Sequence, residues 1–259
     1  MRQVILLLLV GSSLSAQDIA SRVAAVGSGT VRMHFASDPG VCGNGRGSIR
    51  VRGTEGRSTV HNSGSIDARG RRAEWEDECE SGPVRVALDV ENRRVMALRS
   101  YVGGSWRGRP DADLGEVPAE QAVAYLMQLA ATAEGRVAKD AILPAMLAEG
   151  PSPDREILAI AKDEGRPRDV RTGATFWLSQ SAGARVTEGL QELLDDPERQ
   201  VRESAVFALS QRPNDESVPA LIRLARSHRD PQIRRTAVFW LGQKRDPRAL
   251  AYFEEVLAP

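Results

Sequence analysis

Apolar and polar residues alternate with a period of two in the first part of the chain. Odd-numbered positions from Val31 to Phe35 are apolar, and even-numbered positions from Val84 to Val90 are apolar as well, before a polar turn at 91–94. Alternation on both sides of a short polar turn predicts a β-hairpin with one face in a core. We therefore expect a small antiparallel β-rich domain over residues 17–102.

The period changes to that of an α-helix after a linker at 103–118, which is rich in Gly, Pro and Asp. The first helix of each later unit carries an aliphatic residue, a small residue four positions on, and an apolar residue after four more. These triplets are Val170, Ala174, Leu178; Val201, Ala205, Leu209; Ile233, Ala237, Leu241; and, more weakly, Val137, Ala141, Ala145. Units that recur every 31 or 32 residues predict stacked helical hairpins. The fold class is therefore α+β, with an α-solenoid of about four hairpins over 119–259.

Four dipeptides are typical of helix starts: Ser152-Pro153, Asp196-Pro197, Asp230-Pro231 and Asp246-Pro247. In each of them a side chain that accepts from free helix N–H groups precedes a proline, which tolerates the first helical position. We expect a helix to begin at each dipeptide.

Three aromatic pentads, at 176–180, 207–211 and 239–243, end the first helices of the last three units. At 100° per residue from Ala174, Trp177 and Leu178 fall on the buried side, whereas Phe176 falls about 200° away. The candidate protein-contact surface, here named the Phe/Gln stripe, therefore comprises Phe176, Gln180, Phe207, Gln211, Phe239 and Gln243, with Leu143 at the same position in the weak unit. The alternative is that the phenylalanines pack between repeats or under the β-rich domain, and that the glutamines close carbonyls at the helix ends.

The chain begins with the layout of a secretory signal peptide at 1–16: Arg2, an apolar run, and then small residues. The run is shorter than the ~20 residues that a bilayer requires, so we expect cleavage and export to the periplasm or beyond, with a retained anchor as the alternative. The two cysteines, Cys42 and Cys79, are expected to form a disulfide in that oxidising compartment; two buried thiols are the alternative.

Charge and chemistry argue against several functional classes. The chain has 35 basic and 35 acidic residues, and neither half is strongly basic, so a nucleic-acid partner is not expected. His34, His61 and His228 have no metal-ligand spacing, and the acidic run at 74–80 is interpreted as a solvated loop rather than a calcium site. We expect no metal, no cofactor and no catalytic residue.

The segment Asp230 to Ala237 resembles the DPxVRxxA signature of HEAT-like repeats, of the short type also found in phycobilisome-lyase proteins. Residues 196–209 and 169–178 resemble it too, and the resemblance covers roughly 137–259. It implies an α-solenoid whose relatives usually bind other proteins, although some are bilin lyases or isomerases. The combination with a β-rich part looks like exported bacterial HEAT proteins.

These features predict a non-catalytic scaffold of the bacterial cell envelope that binds another envelope protein or an extended peptide. One alternative is an enzyme, or an enzyme accessory, with a small-ligand site in or beside the β-rich domain, near His34, Asp77 and Glu78. Another is a purely structural role, in which the β-rich domain caps the solenoid.

Overall fold

The structure is a computed structural model of the 259-residue chain. It describes residues 16–46, 48–52, 58–62, 79–106, 108–150, 152–181 and 184–258. The chain divides into two compact units, Met1–Gln128 and Leu129–Pro259. The predicted signal peptide, apart from Ala16, and the acidic run up to Glu78 lie outside the described residues.

The described part of the first unit contains one N-terminal helix and two four-stranded sheets. Its elements are α1 (Ala16–Ala25), β1 (Gly29–Phe35), β2 (Val41–Gly43), β3 (Ser48–Arg52), β4 (Ser58–Asn62), β5 (Glu80–Ser81), β6 (Val84–Glu91), β7 (Arg94–Tyr101) and β8 (Ala112–Glu116). The strand order is β7-β6-β1-β8 in the first sheet and β4-β3-β2-β5 in the second. The strands pair antiparallel except β1 and β8, which run parallel. Helix α2 (Ala119–Thr132) spans the boundary between the units.

The predicted hairpin is confirmed as β6 and β7. Its turn places Asn92 and Arg93 at φ angles of 50° and 64°. Left-handed backbone at both central residues matches the right-handed twist of the two strands, and Asn tolerates it better than most residues. The apolar residues of β1 are fully buried, as their alternation predicted, and α1 adds Ile19 and Val23 to the buried set. These two residues, four positions apart, have helical spacing within a segment that was expected to be β-rich.

Strand β8 lies in the stretch that was predicted as a linker. It pairs with β1 with Ala112 opposite Val31. Side chains reinforce the pairing, because Asp111 accepts the backbone N–H of Thr30 at 2.7 Å, and Arg32 pairs with Asp113 at 3.0 Å. Partners about 80 residues away supply these contacts, and the local content of Gly and Pro gives no sign of them.

The predicted disulfide joins Cys42 in β2 to Cys79, the residue before β5. Both cysteines of the chain are used. Because Cys42 also pairs with Ser81 across the sheet, the covalent link and the β2–β5 ladder hold the same two segments together.

The second unit stacks helical hairpins, as the repeat predicted. Its elements are α3 (Gly135–Asp140), α4 (Ile142–Met146), α5 (Asp154–Lys162), α6 (Arg168–Leu178), α7 (Ala184–Glu192) with a 3-10 turn (Leu193–Asp195), α8 (Arg199–Ser210), α9 (Asn214–Ser227), α10 (Pro231–Gly242) and α11 (Pro247–Leu257). The first helices pack in series, α6 against α8 and α8 against α10. All twelve triplet positions named above are buried, so one apolar core runs through the hairpins.

Two of the four predicted caps are present. The side chain of Asp230 accepts the backbone N–H of Gln232 at 2.8 Å at the start of α10. At the start of α11, the side chain of Asp246 accepts the backbone N–H of Arg248 at 2.9 Å. Ser152 does not cap: its hydroxyl donates to the carboxylate of Asp154, at the first position of α5.

Asp196 does not cap α8 either, because that helix begins at Arg199. Its Oδ1 still accepts the backbone N–H of Glu198 at 2.9 Å, just before the helix. Its Oδ2 accepts from Arg171 of the preceding repeat, in an ion pair whose side chains are 4% and 6% exposed. Arg171 also donates from Nε to the carbonyl oxygen of Ala161 at 3.0 Å. This buried arginine therefore ties its helix both to the hairpin before it and to the turn after it.

The same link recurs one repeat later. Arg202, at the position of Arg171, pairs with Asp230 at 3.1 Å. It also donates to the carbonyl oxygen of Asp196 at 2.8 Å. In two of the four triplets, the arginine that follows the first aliphatic residue thus connects consecutive repeats.

Candidate functional site

The Phe/Gln stripe lies along the C-terminal halves of α6, α8 and α10 and the residues that follow them. Phe176 and Phe239 are 40% and 58% exposed, and Phe207 is half-buried. All three glutamines of the stripe are exposed. Large aromatic side chains are usually buried, so two of them in solvent on one series of stacked helices stand out from the rest of the unit.

Two aromatic clusters support the exposed rings. Trp240 contacts Phe207 at a centroid distance of 5.3 Å and Phe239 at 5.1 Å, and so joins α8 to α10. On α6, Phe176 and Trp177 meet edge to face at 5.2 Å. Offset and edge-to-face pairs of this kind add to the stability that burial alone gives, and they hold the rings in defined positions.

The difference between the phenylalanines follows from the next repeat. Trp240 covers one side of Phe207, which is why Phe207 is only partly exposed. The residue that corresponds to Trp240 one repeat earlier is Ala208, which is too small to cover Phe176 in the same way. The phenylalanine therefore recurs at the same position of all three repeats, but its exposure differs from one repeat to the next.

Glutamine and serine side chains close two of the helix ends. The hydroxyl of Ser179 donates to the carbonyl oxygen of Phe176 at 2.6 Å, and the amide of Gln180 donates to that hydroxyl at 2.8 Å. Ser210 and Gln211 repeat both bonds at the end of α8. At these two helix ends the serines, rather than the glutamines, donate to the carbonyl oxygens. Each glutamine donates its amide N–H to the serine, which leaves the amide oxygen as an acceptor.

Two positions differ from the wheel prediction. Leu143 is 8% exposed, so the stripe does not extend to the weak unit. Its helix is interrupted after Asp140, and Leu143 belongs to the separate short helix α4 rather than to a continuous first helix. Trp177 is half-buried instead of lying in the core, because it packs edge-on against the exposed ring of Phe176.

The other sequence candidates lie in the first unit. His34 is a half-buried residue of β1, and His61 lies in β4, whereas Asp77 and Glu78 fall outside the described residues. Over the described ranges, no group of three or more His, Cys, Asp or Glu side chains is placed to hold a metal ion. No helix in those ranges has the length and apolarity needed to cross a bilayer.

Sequence reasoning missed a second candidate site, on the face of the first sheet opposite its apolar core. A cavity of about 330 Å³ there is lined by five arginines, Arg32, Arg46, Arg85, Arg99 and Arg109, together with Trp106. We name it the arginine cavity. Its signal in the sequence is one arginine in each of β1, β6 and β7, namely Arg32, Arg85 and Arg99. The alternation of apolar and polar residues by itself assigns these three arginines to solvent.

Strand register builds the floor of the arginine cavity. Arg32 of β1 lies opposite Ala87 of β6, which in turn lies opposite Arg99 of β7. The small side chain of Ala87 therefore sits between two arginines and leaves room above the sheet. Trp106, from the segment after β7, forms a wall, with the Arg32 and Arg85 guanidinium carbons 5.0 Å and 5.2 Å from its ring centroid. At these distances the indole face attracts both cations.

Comparisons with known proteins bear on the second unit. Residues 187–258 match the family model of HEAT repeats. A solved structure that resembles part of the chain is a designed armadillo repeat protein in complex with the peptide (KR)4. The two sequences are 18% identical, the match covers 52% of this chain and 69% of that chain, and the TM-score is 0.30. No curated protein matches the chain. The sequence of the last hairpins of the second unit is therefore similar to HEAT repeats.

Proposed function

We propose that this chain is a non-catalytic scaffold that binds an extended peptide segment of a partner protein along the Phe/Gln stripe. The observation that carries the proposal is the exposure of Phe176 and Phe239, at 40% and 58%, on helices that pack in one series. Exposed aromatic side chains held in place by neighbouring rings are typical of residues that dominate protein interfaces.

The spacing of the repeats favours one peptide conformation. Packed helices lie 8–10 Å apart, so successive stripe positions are separated by about that distance. A polyproline II helix has three residues per turn and rises about 3.1 Å per residue, so it presents the same side about every 9 Å. A peptide in this conformation, with an apolar side chain at every third residue, would meet one phenylalanine per repeat.

The glutamines suit the backbone of such a peptide. A polyproline II segment makes no internal hydrogen bonds, so its carbonyl and N–H groups remain available to a partner. The amide oxygens of Gln180 and Gln211 are acceptors at consecutive repeats, next to the phenylalanines. Apolar contacts would then set which side chains bind, and the amides would fix the direction of the chain.

The proposed setting is the bacterial cell envelope, with another envelope protein as the partner. The disulfide between Cys42 and Cys79 supports an oxidising compartment, and the apolar run near the N-terminus has the composition of an export signal. The period of 31 or 32 residues supports the short, phycobilisome-lyase type of HEAT repeat.

A double substitution, Phe176→Ala with Phe239→Ala, tests the surface. We expect it to weaken binding of a fluorescent peptide of about twelve residues, rich in proline and with leucine at every third position, by about tenfold or more. The melting temperature should change little, because both rings are substantially exposed. Fluorescence anisotropy measures the first effect and circular dichroism the second.

The matched control is Leu250→Ala with Val256→Ala, which removes two apolar side chains of α11 that are 60% and 58% exposed and lie off the stripe. This control should bind the peptide as the wild type does. If both double variants lost affinity equally, nonspecific hydrophobic attraction rather than the stripe would account for binding. A large fall in melting temperature for the phenylalanine variant would support the alternative packing role.

A further inference from the structure

We propose that the arginine cavity of the first unit binds a small molecule that carries a multiply charged oxyanion group, such as a phosphate or paired carboxylates. This site is separate from the Phe/Gln stripe and does not depend on the function proposed for it. The cavity volume of about 330 Å³ falls at the lower end of the range for small-molecule pockets.

The charge balance of the cavity is strongly positive. Two of its five arginines have carboxylate partners: Arg99 pairs with Asp89 at 2.6 Å, and Arg32 pairs with Asp113 at 3.0 Å. The hydrogen bond from Arg99 lowers the pKa of Asp89, which keeps that carboxylate ionised. These two arginines are therefore largely neutralised from outside the cavity.

The other three arginines, Arg46, Arg85 and Arg109, form no salt bridge with a carboxylate in the part of the chain that the structure describes. The cavity lining described there also contains no aspartate or glutamate. Glu80 is close enough to Arg85 to act on it electrostatically, but its carboxylate already accepts the backbone N–H of Gly104 at 2.6 Å. Three guanidinium groups facing one cavity favour a ligand with more than one negative charge.

Arg85 is the least usual member of this group. It is 6% exposed, although it occupies the strand position that alternation assigns to solvent. Its Nη2 donates to the carbonyl oxygen of Gly103, and its guanidinium carbon lies over the ring of Trp106. Burial lowers the pKa of Arg85, because the charged form loses hydration. An oxyanion in the cavity would offset this cost by forming a charge-assisted hydrogen bond with the Arg85 guanidinium.

The walls of the cavity are held by close backbone packing. Gly103 has a φ of 70°, and a Cβ at this position would clash with the carbonyl oxygen of Gly43. Gly45 donates its N–H to the carbonyl oxygen of Val102 at 2.8 Å. These contacts fix the segment that leads to Trp106 against the turn that carries Arg46. A site preorganised in this way loses little entropy on binding an anion.

Guanidinium groups favour phosphate and carboxylate ligands because their N–H donors match paired oxygens. Inorganic pyrophosphate and citrate therefore serve as probes, with acetate as a singly charged comparison, in isothermal titration calorimetry at low salt. We expect pyrophosphate or citrate to bind with one site per chain and acetate to bind far more weakly. Tighter binding of pyrophosphate would identify the ligand group as phosphate, and tighter binding of citrate would identify it as carboxylate.

The double substitution Arg46→Gln with Arg109→Gln should weaken this binding by about tenfold or more, because it removes two exposed cations that have no carboxylate partner among the described residues. The matched control is Arg93→Gln with Arg94→Gln, which removes the same charge from exposed positions at the far end of the β6–β7 hairpin. We expect the control to change affinity by less than about twofold.

Three results would overturn the proposal. One is equal weakening by the two double variants, which would show attraction to overall charge only. Another is the absence of binding of both pyrophosphate and citrate to folded wild-type protein. The third is binding to vesicles that contain phosphatidic acid without binding to either soluble probe. Because the arginine cavity lies in the first unit and the stripe in the second, failure here leaves the peptide-binding proposal intact.

Discussion

Replacing Arg171 with methionine is expected to lower the free energy of unfolding of the second unit by about 3–5 kcal/mol. The substitution leaves the Asp196 carboxylate, 6% exposed, without its cationic partner, and it leaves the carbonyl oxygen of Ala161 without the Nε donor. An isolated buried charge costs far more than the pair itself contributes. Urea unfolding followed by helical circular dichroism measures the loss.

Arg199→Met is the matched control for this prediction. Arg199 pairs with Glu203 at 3.0 Å on the surface of α8, with side chains 68% and 30% exposed. Pairs in this setting contribute less than about 1 kcal/mol, so the control should unfold close to the wild type. Equal and small losses in the two variants would mean that the Arg171–Asp196 link does not hold consecutive repeats together.

Loss of the disulfide is expected to have the second-largest effect, on the first unit. The cysteines are 37 residues apart, and on the chain-entropy model a closed loop of that length stabilises by roughly 3–4 kcal/mol. The variant Cys42→Ser with Cys79→Ser should therefore lose about that much stability. Denaturant-dependent hydrogen exchange at the β6–β7 amides would locate the loss in this unit.

Reduction supplies the control for the disulfide. Dithiothreitol should destabilise the wild type to the same extent as the double serine substitution, and it should leave the double serine variant unchanged. If the serine variant were as stable as the oxidised wild type, the Cys42–Cys79 link would not support the first unit, and its core would be sufficient by itself.

Local patterns predicted the elements that depend on neighbouring residues. The alternation at β6, the polar turn at Asn92 and the twelve triplet positions of the helices all follow from the preference of a strand or a helix for one buried face. The same wheel that placed Ala174 in the core placed Phe176 outside it, and the structure agrees.

Features created by distant segments were not predictable in this way. The alternation of apolar and polar residues assigns Arg85 to the solvent-facing side of its strand. It gives no indication that the segment carrying Trp106 covers that side. Strand β8 was interpreted as a linker for the same reason, because its partner β1 is about 80 residues away. The partial burial of Phe207 likewise depends on Trp240 of the next repeat.

The most direct test of peptide binding by the stripe varies the spacing of the peptide rather than the protein. Two labelled proline-rich peptides of about twelve residues, each with the same number of leucines, are compared by fluorescence anisotropy. The leucines are three positions apart in one peptide and two positions apart in the other, and proline fills the remaining positions. We predict that the first binds about tenfold or more tightly, because only its apolar side chains recur at the separation of the stacked helices. Equal affinities, or tighter binding of the second peptide, would contradict the stripe as the binding surface.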